Sequence, residues 1–340
     1  MMKNNGQKII NVLLIVFMLT ISLQVYNLNK KITYVYKNTE YVETTNSPKR
    51  LNLESVYGDR QSYHPKVISF EKKWNGYKYW MSYTPYPYAD SSKENPHVVA
   101  SNDGVHFEYP SKTKVLDEVV DTAKGKRYNS DSHLVYNTDT NELECWWRYV
   151  DDVSGDVTLY RRVTTDGINW SSKEAVITAN RKKQDYLSPA IIYEDNIYKI
   201  WFVRKNRVMY TESSDLKNFS KPIDLNIEYE DSVLSWHLDV IHTNKGYEMI
   251  LVAYSDWEHR MYMNLYYTKS VDNKNYDIAK VILKPTTGTN NWDNSGLYRS
   301  SFIYEDGLYK VYYSGQGTNK AKGIGLVSGS SIYDLKTVKY

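Results

Sequence analysis

The stretch Tyr-Asn-Ser-Asp-Ser-His-Leu-Val-Tyr-Asn, residues 128–137, is the best starting point for the fold. It places an acid, Asp131, and an imidazole, His133, directly before a short apolar run typical of a β-strand. Because similar strand starts recur with different polar residues, we expect those residues to converge on one site. The five starts are His64-Pro65-Lys66-Val67-Ile68, Asp131-Ser132-His133-Leu134-Val135, Ser188-Pro189-Ala190-Ile191-Ile192, His237-Leu238-Asp239-Val240-Ile241 and Arg299-Ser300-Ser301-Phe302-Ile303.

A second repeated signal is a turn of the form Ser/Thr-x-Asp-Gly-x-x-aromatic. It is clearest at residues 101–107 and 164–170, and looser copies occupy residues 213–219 and 270–276. Asp accepts hydrogen bonds from its own backbone and Gly adopts positive φ without steric cost, so we interpret these turns as structural.

The two signals divide the chain into repeated units of short strands. Each unit also carries an aromatic-rich second strand and a third strand rich in Val, Tyr and Thr, and five units fill residues 61–340. No segment after the N-terminal apolar run has the periodicity of an amphipathic helix. Such repetition predicts an all-β fold, a five-bladed β-propeller. The alternative is a six-bladed propeller, with the extra blade within residues 32–52 or 117–127.

The N-terminus has a basic start and an apolar run that extends from Ile9 to about Val25. Continued to residue 28, the run is about 20 residues long, which suffices to span a bilayer as a helix. Since no small-x-small cleavage site follows, we expect residues 1–28 to be a signal anchor rather than a cleaved signal peptide. Residues 29–60 would be a tether and a strand leading into the propeller. We therefore predict a single-pass cell-membrane protein with its propeller outside the cytoplasm; the alternative is a secreted protein.

The composition limits the classes of partner. A net charge of +3 in 340 residues gives no strong field for nucleic acid. The chain has 34 Tyr and 9 Trp, whose rings suit both sheet faces and sugar-binding clefts. The single cysteine, Cys145, excludes an intrachain disulfide and a cysteine-based metal cluster. A glycan is thus the expected partner, and the oligomeric state stays open.

In a propeller, the first strand of each blade lines the central channel. The five strand starts and the loops between second and third strands should therefore share one rim. The candidate catalytic carboxylates at this rim are Asp131, Asp239 and Glu94. The candidate substrate-binding residues are His64, His133, His237, Arg299, Ser188, Trp236, Arg148, Asn95, Asp256 and Trp292.

A metal site built from His and Asp is an alternative use of the same rim. Its residues would come from different blades without short ligand spacing, so we assign no metal ligand. We likewise predict no cofactor, although a structural or channel-bound cation such as calcium is compatible with the composition.

With these features, residues 60–340 resemble the five-bladed propeller clan of glycoside hydrolases that includes arabinanases, xylosidases and invertases, especially glycoside hydrolase family 43. The resemblance rests on the blade starts at His64 and Ser188 and on the Ser-x-Asp-Gly-x-x-Trp turns. It implies a glycosidase with a paired acid and base. The chain departs from the family pattern at three positions. His64 stands where the family has an Asp base, Asp239 is the only acid near the usual Glu of blade four, and Arg299 replaces a frequent His.

The sequence therefore predicts an extracytoplasmic glycosidase that acts on a cell-surface or environmental polysaccharide. Asp131 and Asp239 would form the carboxylate pair, and Glu94 would be the substitute. The three His residues and Arg299 would hold hydroxyls or an anionic group of the sugar. The main alternative, favoured by the missing blade-one Asp, is a glycan-binding propeller without hydrolysis that serves in surface-polymer assembly or recognition. A protein-interaction propeller is a third hypothesis.

Overall fold

The structure is a computed structural model that describes residues 17–18, 20–25, 49–119, 126–286, 292–318 and 320–338. The chain divides into two units, Met1–Val42 and Glu43–Tyr340. In the first unit, residues 17–18 and 20–25 are helical. The remainder of the expected anchor and the tether up to residue 48 lie outside the described residues. Within the described part of the chain, no helix has the length and apolar character needed to cross a bilayer.

Over its described residues, the second unit consists of five antiparallel sheets. In this part of the chain blade one has three strands, β1 (Ser62–Trp74), β2 (Tyr77–Pro85) and β3 (His97–Ser101), with two short 3-10 helices, Pro87–Ala89 and Ser91–Lys93, before β3. Blade two contains β4 (Arg127–Asn137), β5 (Glu142–Asp151), β6 (Asp156–Thr164) and β7 (Glu174–Asn180). Blade three contains β8 (Leu187–Glu194), β9 (Ile197–Arg204), β10 (Arg207–Ser213) and β11 (Ile223–Asp224). Blade four contains β12 (Leu234–Thr243), β13 (Gly246–Tyr254), β14 (Asn264–Ser270) and β15 (Lys280–Leu283). Blade five contains β16 (Gly296–Glu305), β17 (Leu308–Gln316), β18 (Lys322–Gly329) and β19 (Lys336–Thr337).

The five blades form a closed ring. Their first strands contact one another in the order β1, β4, β8, β12, β16 and back to β1. Strand β18 pairs with segments from both ends of the described propeller. The amide of Leu51, before β1, donates to Ile324 O at 2.8 Å, and the last strand, β19, pairs with β18 at Val327 and Ser328. The prediction of a five-bladed, all-β propeller is confirmed.

The repeated turns of the form Ser/Thr-x-Asp-Gly-x-x-aromatic, which we call the Asp turns, pack against the preceding blade. In the turn after β6, Asp166 Oδ1 accepts hydrogen bonds from the amides of Ile168 and Asn169 at 2.8 and 2.7 Å. Gly167 has a φ of +72°, and a Cβ added there would lie 2.0 Å from the Trp80 ring of blade one. Only glycine fits this contact, since a side chain would meet both an unfavourable backbone angle and a packed indole.

Candidate functional site

The inner strand of every blade carries an irregularity near one rim. The pairing register shifts between Tyr63 and Lys66, and corresponding shifts occur in β4, β8, β12 and β16. At these shifts His64, Asp131 and Ser188 have φ values of 53°, 51° and 53°. Bulges redirect side chains and are common beside active sites. The repeated bulge therefore turns the strand starts toward a common point.

A cavity of about 830 Å³ lies at this rim. It brings together six of the predicted site residues: His64, Glu94, Asp131, Arg148, Trp236 and His237. Tyr86, Trp257 and Arg260, from the loops between second and third strands that were expected at this rim, also line the cavity. Tyr298 and Lys322 line it as well, and the sequence analysis missed both.

His64, Asp131 and His237 lie together although they come from three different blades. One ligand atom from each residue lies within 4.8 Å of the others, and Asp131 Oδ1 is 3.5 Å from His237 Nδ1. Each of these side chains is only 2% exposed. Nevertheless, His64 Nε2, Asp131 Oδ1 and both ring nitrogens of His237 have no hydrogen-bond partner among the residues that the structure describes. Buried polar atoms left unpaired cost free energy, so a cation held by all three residues explains the arrangement.

The protonation states of the three residues suit metal binding. Burial lowers the pKa of His64 to about 3 and also lowers that of His237 well below its ordinary value, so both rings are neutral near pH 7. Burial alone would raise the pKa of Asp131, but His237, His64 and two arginines outweigh it and lower that pKa to about 2. Two neutral imidazoles and one carboxylate leave coordination positions open on zinc or Fe(II). The three residues were expected at one rim from the sequence, but none was assigned to a metal because they come from different blades without short ligand spacing.

Glu94 is the second carboxylate of the cavity. It follows the 3-10 helix Ser91–Lys93, and its Oε2 lies 3.7 Å from His64 Nδ1. Burial, reinforced by the charge of Asp131, raises the pKa of Glu94 well above its usual range. Asp131 and Glu94 thus have pKa values displaced in opposite directions, a pattern that separates acid and base roles at active sites.

Tyr298 is a site residue that the sequence analysis did not select. Its ring centroid lies 4.3 Å from that of His237, and its hydroxyl accepts a hydrogen bond from Trp236 Nε1 at 3.0 Å. Tyr298 immediately precedes Arg299, the residue selected for blade five. The bulge between Tyr298 and Ser301 displaces the register, so counting back from the apolar run selected the neighbour of the cavity residue.

Asp239, predicted as one member of the carboxylate pair, is not part of the cavity lining. Lys66 Nζ donates to its Oδ1 at 2.8 Å, and the amide of Phe302 donates to its Oδ2 at 3.3 Å. Lys66 and Asp239 are both buried. The structure therefore supports a structural role for Asp239 within an ion pair between blades one and four.

Three further predicted residues connect the inner strands instead of facing the cavity. The Arg299 guanidinium donates to the carbonyl of Pro189 at 2.9 Å and to Ser188 Oγ at 3.0 Å. His133 Nε2 accepts from the amide of Ile191 at 2.9 Å. Arg299 is therefore engaged with blade three, and the expectation that Arg299, His133 and Ser188 contact a sugar is not supported.

The last three predicted residues lie outside the cavity lining. Asn95 is buried and its Oδ1 accepts from Asn129 Nδ2 at 3.1 Å. Trp292 is also buried and stacks on the ring of Tyr313, with the two ring centroids 5.6 Å apart. Asp256 is exposed, and its carboxylate lies 2.8 Å from His259 Nδ1.

The five blades and the polar cavity at one rim define a propeller with an enzyme-like site. No family model matches the sequence. The chain is 28% identical over 317 residues to the A type blood N-acetyl-alpha-D-galactosamine deacetylase of Flavonifractor plautii, in an alignment covering 77% of this chain and 41% of that protein.

Solved structures share the fold. A crystal structure of an N-acetylgalactosamine deacetylase from F. plautii, in complex with blood group B trisaccharide, superposes with a TM-score of 0.74 and 24% identity over 83% of this chain and 94% of that chain. A family 43 glycoside hydrolase, a beta 1,3 galactosidase, superposes with a TM-score of 0.59 and 10% identity over 83% of this chain and 59% of that chain. The predicted resemblance to the family 43 propellers is confirmed at the level of fold.

Proposed function

We propose that this protein is a metal-dependent deacetylase that removes the N-acetyl group from an amino sugar in a glycan. The observation that carries the proposal is the convergence of unpaired ligand atoms from His64, Asp131 and His237 beside Glu94. The similarity to the F. plautii deacetylase supports the same reaction, although the alignment spans only 41% of that protein.

His64, Asp131 and His237 would hold a divalent cation. Such a cation lowers the pKa of a bound water and polarises a carbonyl oxygen, the two requirements for hydrolysing an unreactive amide. The neutral imidazoles supply lone pairs, and the Asp131 carboxylate supplies compensating negative charge. Asp131 also accepts a hydrogen bond from the amide of Ser188 at 3.3 Å, which fixes the carboxylate in place.

Glu94 would transfer a proton from the attacking water to the leaving amine. In its ionised form it would take a proton from the attacking water and then deliver it to the amine nitrogen as the C–N bond breaks, giving acetate and a free amine. Its raised pKa fits a group that must both accept and donate near neutral pH. Tyr298, whose hydroxyl is held by Trp236 Nε1, would donate a hydrogen bond to the oxyanion that forms on the acetyl carbon.

Aromatic rings at the cavity would bind the sugar. Trp236 and Trp257 have ring centroids 6.3 Å apart at an interplanar angle of 74°, and Trp257 is 65% exposed. An indole left this exposed beside a polar cavity offers an apolar face for the C–H surface of a pyranose ring.

The proposal is tested by incubating the protein with a panel of N-acetylhexosamine-containing oligosaccharides and measuring free acetate and reducing ends in parallel. We expect acetate from at least one glycan and no gain in reducing ends. Asp131→Asn should abolish the acetate signal while the protein remains folded. If the panel yields no acetate under metal-replete conditions, the proposal fails.

Glycoside hydrolysis is the second candidate, favoured by two carboxylates with oppositely shifted pKa values in one cavity. In that case Glu94 would be the acid and Asp131 the base or nucleophile. Reducing ends would then accumulate without acetate. A binding-only propeller would retain a glycan and release neither product.

We also propose, from the apolar N-terminal run alone, that the protein acts outside the cytoplasm on a surface glycan, attached through residues 1–28. Fractionation and protease access in intact cells test this separately from the chemistry. Protection of the propeller in intact cells, with cleavage after lysis, would contradict it.

A further inference from the structure

One wall of the cavity carries three cationic side chains that form no ion pair with a carboxylate of the described residues. Arg260 lies in the loop between β13 and β14, Lys320 precedes β18, and Lys322 is the first residue of β18. All three line the cavity. Among the residues that the structure describes, none of these side chains forms an ion pair. We call this set the cationic wall.

On the opposite side of the cavity, the arginine side chains are paired with carboxylates. Arg148 donates from one nitrogen to both carboxylate oxygens of Asp185, at 2.7 and 3.0 Å. Arg181 pairs with Asp152 and Asp185. Because these arginines already have acidic partners, the uncompensated charge is concentrated on the cationic wall.

Lys322 is the most informative member of the wall. It is only 2% exposed, and its ammonium lies 5.3 Å from the ring centroid of Tyr63 and 5.5 Å from that of Tyr86. Its hydrogen bond is to a neutral acceptor, Gln316 Oε1. Buried lysines are rare unless they are paired with an acid, because burying an uncompensated charge costs free energy. The charge of Glu94 acts on this ammonium, but the two groups form no ion pair. An ammonium whose hydrogen bond goes to a neutral acceptor at a cavity lining therefore points to an anion supplied by the ligand.

The wall adjoins the aromatic rings proposed to bind sugar. Gln316, which accepts from Lys322, also donates to Met261 O at 3.0 Å and thereby reaches the residue after Arg260. The Arg260 guanidinium carbon lies 4.3 Å from the Trp257 ring centroid. A sugar stacked on the indole would consequently place its substituents near both cations.

We infer that the glycan bears an anionic group, a carboxylate or a phosphate, on a sugar adjoining the N-acetylated one, and that the cationic wall binds it. The position of the N-acetyl sugar rests on the proposed function. From the sequence, the His residues and Arg299 were expected to hold hydroxyls or an anionic group, but the Arg299 guanidinium donates to residues of blade three.

Matched oligosaccharides test this inference. An N-acetylhexosamine linked to a hexuronate is compared with its carboxyl-reduced, neutral counterpart and with a counterpart carrying a hexose phosphate. Binding is measured by calorimetry and acetate release by kcat/KM. We expect at least one acidic form to be preferred by about tenfold or more, the effect of a charge-assisted hydrogen bond. The difference between the carboxylate and phosphate arms identifies the anion.

Charge-neutral variants complete the test. Lys322→Gln and Arg260→Gln should each reduce the preference for the acidic form, while Lys217→Gln, at an exposed lysine outside the cavity lining, should keep it. If Lys322→Gln does not fold, Arg260→Gln and Lys320→Gln provide the same comparison. Equal binding of acidic and neutral glycans would overturn the inference. Absence of acetate from every glycan would instead count against the deacetylase, and the binding comparison would still decide whether the cationic wall selects an anion.

Discussion

The carboxylate of Asp131 lies 3.5 Å from Nδ1 of His237, although the two residues belong to blades two and four. His64 of blade one joins them across the channel. The three residues occupy comparable bulged starts of their inner strands, where blades three and five carry Ser188 and Arg299. Equivalent positions at the starts of the five inner strands therefore carry different polar side chains.

The proposed metal site should depend on all three residues. The protein should bind one divalent cation per chain and lose it in Asp131→Asn or His237→Ala, because each change removes a ligand atom that has no hydrogen-bond partner. Elemental analysis after gel filtration measures the metal content, and the cation should also raise Tm because it binds the folded state. His106→Ala, at an exposed His bonded to Asp103, is the matched control. Full metal content in His237→Ala would contradict the assignment.

The pH dependence of catalysis should follow Glu94. Burial raises the pKa of Glu94, and the ionised form is the base, so kcat/KM should be high above that raised pKa and fall as the pH drops through it. Glu94→Gln should lower kcat by about 10² to 10⁴-fold and remove this acidic limb of the profile. Glu258→Gln, at an exposed loop residue, serves as the control. An unchanged acidic limb in Glu94→Gln would show that another group is the base.

Asp239 should prove structural. Asp239→Asn leaves the buried ammonium of Lys66 without its partner, so we expect the free energy of unfolding to fall by about 3–5 kcal/mol. The kcat per folded molecule should change far less than in Asp131→Asn. Urea unfolding and acetate release measure the two effects. The double variant Lys66→Met/Asp239→Leu should recover much of the stability. A severe loss of kcat with unchanged stability would return Asp239 to the catalytic set.

The contact between Gly167 and Trp80 can be separated from backbone strain. Gly167 and Gly307 have similar φ values of +72° and +76°, but a Cβ on Gly307 would meet nothing within 4 Å. Gly307→Ala should therefore cost about 1–2 kcal/mol, the strain of a left-handed residue. Gly167→Ala should cost about 1–3 kcal/mol more because it also displaces the indole. Equal losses in denaturant unfolding would mean that this turn does not fasten blade two to blade one.

The propeller was predictable because its signals are local and repeated. The strand starts and the Asp turns recur in sequence, and a repeated unit must stack on its neighbours to bury its core. The same local approach placed His64, Asp131 and His237 at one rim but did not group them as metal ligands, since metal-site recognition from sequence relies on short spacings.

Register was the second limit on predicting the site. Lys66 and Asp239 belong to strand starts that were expected at the rim, yet they pair with each other outside the cavity lining. Tyr298 was missed because a bulge displaces the register by an amount that the apolar pattern does not reveal. Side-chain direction near a bulge depends on backbone angles, such as the positive φ of Asp131, that composition alone does not specify.

We propose that His64, Asp131 and His237 hold the metal for removal of an acetyl group. The most direct test of this proposal is acetate release from a cleavable N-acetylhexosamine glycan by the purified protein, by the chelated protein and by the chelated protein after addition of zinc or manganese. We expect chelation to abolish release and one of the metals to restore it in the wild type but not in Asp131→Asn. Acetate release that persists unchanged in the chelated protein, or in Asp131→Asn, would contradict the proposal.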